Sequence, residues 1–318
     1  MEKPFLTIEQ QMVLLESRGM KILSDTAEKL LREGYYSIVN GYKDPFIDEQ
    51  ATKASGDDRY TNGTTFDSLY NLFSFDRSLR SLTFRYLVKA EATARTAIAY
   101  CFSEAHHNPD DYLLQANFCS KEEFVSYGKD GSEYAEELSR LTGILGRRAK
   151  NSEADFIAHY RQDYGSVPLW VLVNDLTFGN IEHFFNLMKP EEKAAACRCI
   201  SKSTGRLGDK SLGFFEVGKA RVYLEVLVKF RNICAHDERL YCARVGGRKD
   251  VNYAKMVWML ERFLTEREFY GFLNELIELL NESMEQTEAI GHVLNRLGFL
   301  ELAAKIKKRF GETPAAEQ

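Results

Sequence analysis

From Phe66 to His107 the chain reads FDSLYNLFSFDRSLRSLTFRYLVKAEATARTAIAYCFSEAHH. Its apolar residues recur at helical spacing, with Leu79, Leu82, Tyr86, Leu87, Ala90 and Ala94 near one side. No comparable stretch of alternating apolar and polar residues stands against it, and no repeat of fixed period is present. The same period runs through 133–149, 152–163, 168–178, 179–188 and 190–201. It returns in FFEVGKARVYLEVLVKFRNICAH, YAKMVWMLERFL, EREFYGFLNELIELLNES and TEAIGHVLNRLGFLELAAKIKKRF. The pattern predicts an all-α chain built as a helical bundle. Thr7 and Gln10 stand at capping-box spacing, Asp25 reads as an N-cap, and Gly19 and Gly34 read as stops. DEQATKASGDDRYTNGTTF reads as a long exposed loop, and RVGGRKDVN as a turn.

The 318 residues suit one large or two medium domains and can bury a core. No strong linker divides them, and we read an N-terminal helical region, 1–130, as part of the same body as a second helical region, 131–310, followed by a disordered tail, 311–318. No apolar run approaches the roughly 18–20 residues that cross a bilayer. The opening MEKPFLTIEQQ lacks a signal-peptide pattern, so a cytoplasmic protein without a membrane partner is expected. Cys101, Cys119, Cys197, Cys199, Cys234 and Cys242 have no disulfide-framework spacing. Cys197 and Cys199 form a C-x-C, but no second pair at finger-like spacing completes four ligands, so neither a metal nor another cofactor is expected.

The net charge is −5, yet Arg198–Lys249 holds twelve Lys/Arg against five Asp/Glu. Inside that basic window lies KFRNICAHDERLY, Lys229–Tyr241. At about 100° per helical residue, Asn232 and His236 lie about 40° apart, and Arg239 roughly 60° further on. Arg231 lies about 140° from His236 if the helix is regular. It reaches the same cleft if the helix loosens near Cys234, or points toward a second subunit. The residue types suit phosphodiester cleavage in RNA. An imidazole can take the proton of a ribose 2′-hydroxyl or return one to the leaving oxygen. A guanidinium can grip the phosphate with two prongs and neutralise the transition state. The RNA supplies its own nucleophile, so no metal is required. Lys229, Arg239, Arg244, Arg248 and Lys249 surround the cluster and are expected to hold RNA phosphates. By spacing alone the cluster also suits a helix C-terminus, where His and Arg cap carbonyls.

The whole phrase RNICAHDERLY resembles the R-N-x-C-A-H-x-x-R-L-Y signature of the Abi-like abortive-infection family, of the AbiD and AbiF type, within the HEPN superfamily. Three other segments agree. YYSIVNGYKDPF is similar to its Tyr-rich element. DRSLRSLTFRYLVKAEATARTAIAY is similar to its D-x-x-L-R…E-x-x-x-R helix, through Asp76, Leu79, Arg80, Glu91 and Arg95. PLWVLVNDLTFGNI is similar to its P-x-W…F-G segment, through Pro168, Trp170, Phe178 and Gly179. Where the family often continues Asn-Arg, this chain has Cys242-Ala243-Arg244.

The resemblance implies a HEPN-like core and a metal-independent ribonuclease with Arg231 and His236 catalytic and Asn232 a polar helper. It implies a toxin in phage defence, restrained by an antitoxin that could be a noncoding RNA. It also implies a homodimer, because one Arg-x4-His motif is found and such motifs usually face each other in pairs. Some HEPN domains are inactive, so a non-catalytic RNA- or protein-binding helical module is the alternative.

Overall fold

The computed structural model describes residues 4–247, 250–286 and 288–311. In chain order the α-helices are α1 (Ile8–Ser17), α2 (Thr26–Glu33), α3 (Glu49–Ser55), α4 (Phe66–Ala105), α5 (Lys121–Ser126), α6 (Tyr134–Asn151), α7 (Asp155–Asp163) and α8 (Leu169–Leu172). They continue as α9 (Phe178–Leu187), α10 (Pro190–Ser203), α11 (Val217–Ala235), α12 (Tyr253–Leu260), α13 (Glu266–Gln286), α14 (Glu288–Arg296) and α15 (Phe299–Phe310). Among the described residues the only sheet is a two-strand antiparallel hairpin, β1 (Arg244–Val245) with β2 (Val251–Asn252). It pairs Arg244 with Asn252 and Val245 with Val251. The chain is all-α, as its periodicity requires. Among the described residues no helix is long and apolar enough to cross a membrane.

Local chemistry explains where helices begin and end. Thr7 and Gln10 form the capping box, with Gln10 Oε1 accepting the Thr7 amide at 2.9 Å. Asp25 makes no capping bond and instead pairs with Lys29 at 2.7 Å. The segment from Asp48 to Phe66 is not one loop, contrary to expectation. Asp48 accepts the Ala51 amide at 2.9 Å and starts α3, and Gly56, at φ 72°, ends it. α4 spans 40 residues with neither glycine nor proline among them, so nothing in its backbone interrupts it.

The chain divides into two compact units that interleave in sequence. One holds the residues up to Leu82, Asp237–Ala243 and the residues from Leu273 onward. The other holds Thr83–His236 and Arg244–Phe272. The division therefore falls inside α4 and inside α13.

The first unit buries Leu15, Ile38, Val39, Leu69, Leu72 and Leu79 completely. Tyr42 lies edge-on to Phe73, with centroids 5.5 Å apart, and stacks on Tyr241 at 5.6 Å. In the second unit α11 packs against α9 and α12. Ala220, Leu224 and Leu227 fall at i, i+4 and i+7, and all are fully buried with Phe230. They meet a core that includes Ile181, Met256, Val257 and Leu260, also fully buried. Each such aliphatic or aromatic side chain contributes about 1.5–3 kcal/mol on burial. The buried stripe fixes the rotation of α11, and so decides which residues at its end meet solvent.

Candidate active site

α11 runs regularly to Ala235 and does not loosen near Cys234. His236 caps it, its N–H donating to the Asn232 carbonyl at 2.9 Å. Asp237 follows at φ 59°, the one non-glycine residue at positive φ among those described. Aspartate is one of the few side chains that tolerates this left-handed turn. The helical face expected to carry Asn232, His236 and Arg239 therefore stops at His236. Asn232 and His236 share the last turn and are both exposed.

Arg231 takes another direction. In a regular helix it sits about 140° around the axis from His236. Its Nε donates to Glu91 Oε2 on α4 at 3.3 Å, and its guanidinium centre lies 5.7 Å from the centroid of the Phe84 ring. The other oxygen of Glu91 accepts Arg95 Nη2 at 2.5 Å. The Glu91 side chain is only 6% exposed, against 28% for Arg231 and 20% for Arg95. One buried carboxylate thus serves two partly exposed guanidiniums. It engages the Nε edge of Arg231, while the Nη pair makes no hydrogen bond among the described residues. That pair is an edge a phosphate can take in two-pronged binding.

The other expected RNA contacts are dispersed. Lys229 is on α11, its Nζ paired with Glu225 at 2.6 Å. Arg244 is exposed on β1. Arg239 belongs to the other unit, where its Nη1 donates to the Gly41 carbonyl at 3.0 Å and to Asp44 at 3.3 Å. Arg248, Lys249 and residues 312–318 lie outside the described residues. Of the C-x-C pair, Cys197 is fully buried in the helical core, and burial pushes its thiol up to about 12.

The first unit contains a polar hub that reading the sequence did not assemble. Asp76 is fully buried on α4. It accepts the Leu240 amide at 3.1 Å and the Tyr241 amide at 2.6 Å. It also accepts the Tyr42 hydroxyl at 2.7 Å and Arg80 Nη1 at 2.7 Å. Arg80 reaches further, to the carboxylate of Asp237. Burial first, and then the Asp76 charge, push the Tyr42 phenol up, so Tyr42 stays a donor. The Asp76–Arg80 spacing and the Tyr-rich segment signalled two of these partners. The two amides, more than 160 positions away, gave no local signal.

The profile of the Abi-like protein family matches residues 28–242. The chain belongs to this family. No curated protein and no solved structure matches it. The match begins within α2 of this Abi-like protein and ends just after the buried Leu240–Tyr241 pair. It includes the Arg231–Glu91–Arg95 cluster, the exposed end of α11 and the Asp76 hub, whereas α12 to α15 lie beyond it.

Proposed function

We propose that this Abi-like protein is a metal-independent endoribonuclease of the HEPN type, acting as a toxin in abortive infection. The observation that carries the reading is the state of Arg231. Glu91 and the Phe84 face hold its guanidinium while leaving the phosphate-binding edge clear, on the helix that ends in exposed Asn232 and His236.

In this reading His236 takes the proton from a ribose 2′-hydroxyl as O2′ attacks the adjacent phosphorus. The P–O5′ bond breaks and the leaving O5′ takes a proton from solvent water, to which the His236 imidazolium later returns one. The products carry a 2′,3′-cyclic phosphate and a 5′-hydroxyl. Arg231 neutralises the charge that builds on the phosphoryl oxygens, and the Asn232 amide donates to one of them. Arg231 and His236 diverge around one helix, so two copies facing each other are the economical way to bring both onto one phosphate. Restraint of such an activity, for instance by a noncoding RNA held on the basic window Arg198–Lys249, belongs to the same reading.

Expression of the wild type in bacteria should arrest growth, while His236→Ala, produced at the same level, should permit it. Equal growth of the two strains would leave a non-catalytic binding module as the better reading.

A further inference from the structure

Three cavities follow one another in the unit that carries α11. The first, about 460 Å³, is lined by Arg95, Thr96, Tyr100, Glu104 and Trp170 among others. The second, about 610 Å³, shares Thr96, Tyr100 and Glu104 with the first and adds Arg198 and Lys202. The third, about 300 Å³, shares Arg198 and Leu207 with the second and adds Lys210 and Phe214. These shared lining residues set the three side by side, and we take them together as one groove.

Its lining combines rings and cations. Trp170 is 51% exposed, Tyr100 56% and Phe214 63%. Arg198, Lys202 and Lys210 are exposed around them. No ion pair to a carboxylate is formed by these three among the described residues. The acidic residues of the groove are engaged: Glu104 accepts the Tyr100 hydroxyl at 3.0 Å, and Asp209 accepts the Ser211 hydroxyl at 2.6 Å and faces Arg206 at 3.6 Å. The groove starts at Arg95, whose guanidinium is bonded to the Glu91 that holds Arg231.

We propose that this groove is a track for single-stranded RNA leading to Arg231. The inference rests on the ribonuclease reading for what happens at the end of the track, and not for the binding itself. Rings offer faces to unstacked bases and the cations follow the phosphates, the arrangement that holds single strands without reading sequence. A duplex keeps its base faces covered and cannot use those rings. A partner protein helix would call for an aliphatic ridge, and here Leu207 is the one exposed aliphatic side chain in the last two cavities.

The test is binding of a fluorescein-labelled oligouridylate, read by anisotropy, with full-length His236→Ala as the parent so that the RNA survives. Trp170→Ala and Tyr100→Ala should each weaken binding roughly 5- to 100-fold, and Trp170→Phe should restore it. Arg198→Ala combined with Lys202→Ala should reduce the slope of log K against log salt by about 1.4. In a Trp258→Phe background the oligouridylate should quench the remaining fluorescence of Trp170, a readout that needs no substitution in the groove. The same affinity and salt slope in all groove variants, no quenching, or preference for duplex RNA would each overturn the track. Cleavage by the wild type is scored separately. Cleavage with unaltered binding in the groove variants sinks the track alone, while binding through the groove without any cleavage upholds the track and sinks the catalytic reading.

Discussion

Asp76→Ala is expected to lower the stability of its unit by about 3–5 kcal/mol, the range for removing one partner of a buried, hydrogen-bonded ion pair. The reason lies in what remains. Arg80, only 4% exposed, loses its internal counterion and keeps the highly exposed Asp237. The amides of Leu240 and Tyr241 lose their acceptor in a place that water does not reach, and each such buried donor costs about 1–3 kcal/mol. Tyr42 loses the carboxylate beneath its hydroxyl while still stacked on Tyr241. Asp76→Asn keeps one acceptor oxygen but no charge toward Arg80, so its loss should be smaller. Urea denaturation followed by circular dichroism measures both. A loss below about 1 kcal/mol for Asp76→Ala would mean that the hub is ornamental, since an average point substitution already costs about that much.

Arg231→Ala should reduce RNA cleavage by about 10²–10³, the usual effect of removing one preorganised charge from a transition state. Arg231→Lys should recover little of this. An ammonium cannot bond Glu91 through one edge while offering a second, forked edge to a phosphate. Glu91→Ala should also lose activity, by up to about 10², because the guanidinium is then no longer aimed. The side chain of Arg231 is 28% exposed and Glu91 retains Arg95, so Arg231→Ala should change stability by no more than about 1 kcal/mol. Initial cleavage rates beside denaturation midpoints separate the two effects. Wild-type cleavage by Arg231→Ala would remove the guanidinium from the mechanism.

The helical class was legible because apolar spacing alone carries it. The stretch from Phe66 became a single 40-residue helix, and the segment ending at the motif became α11. The sequence was least informative where polar chemistry replaces periodicity. α3, EQATKAS, has no buried residue, so only the Asp48 cap and Gly56 mark it. The same limit applies to the site. The Glu91–Arg95 pair is a local i, i+4 event, which spacing along one helix can signal. Its third member, Arg231, is 140 positions away, and only packing of α11 brings it to α4. The groove has no sequence signature for a related reason. Trp170, Tyr100, Arg198 and Phe214 come from four separate segments, and no local spacing joins them.

The most direct measurement is incubation of RNA with purified protein in EDTA, followed by analysis of the ends. The account predicts cleavage by the wild type, fragments ending in 2′,3′-cyclic phosphate, and a rate for His236→Ala lower by about 10²–10⁴. An intact substrate, fragments appearing only when divalent cations are restored, or an undiminished rate for His236→Ala would contradict it.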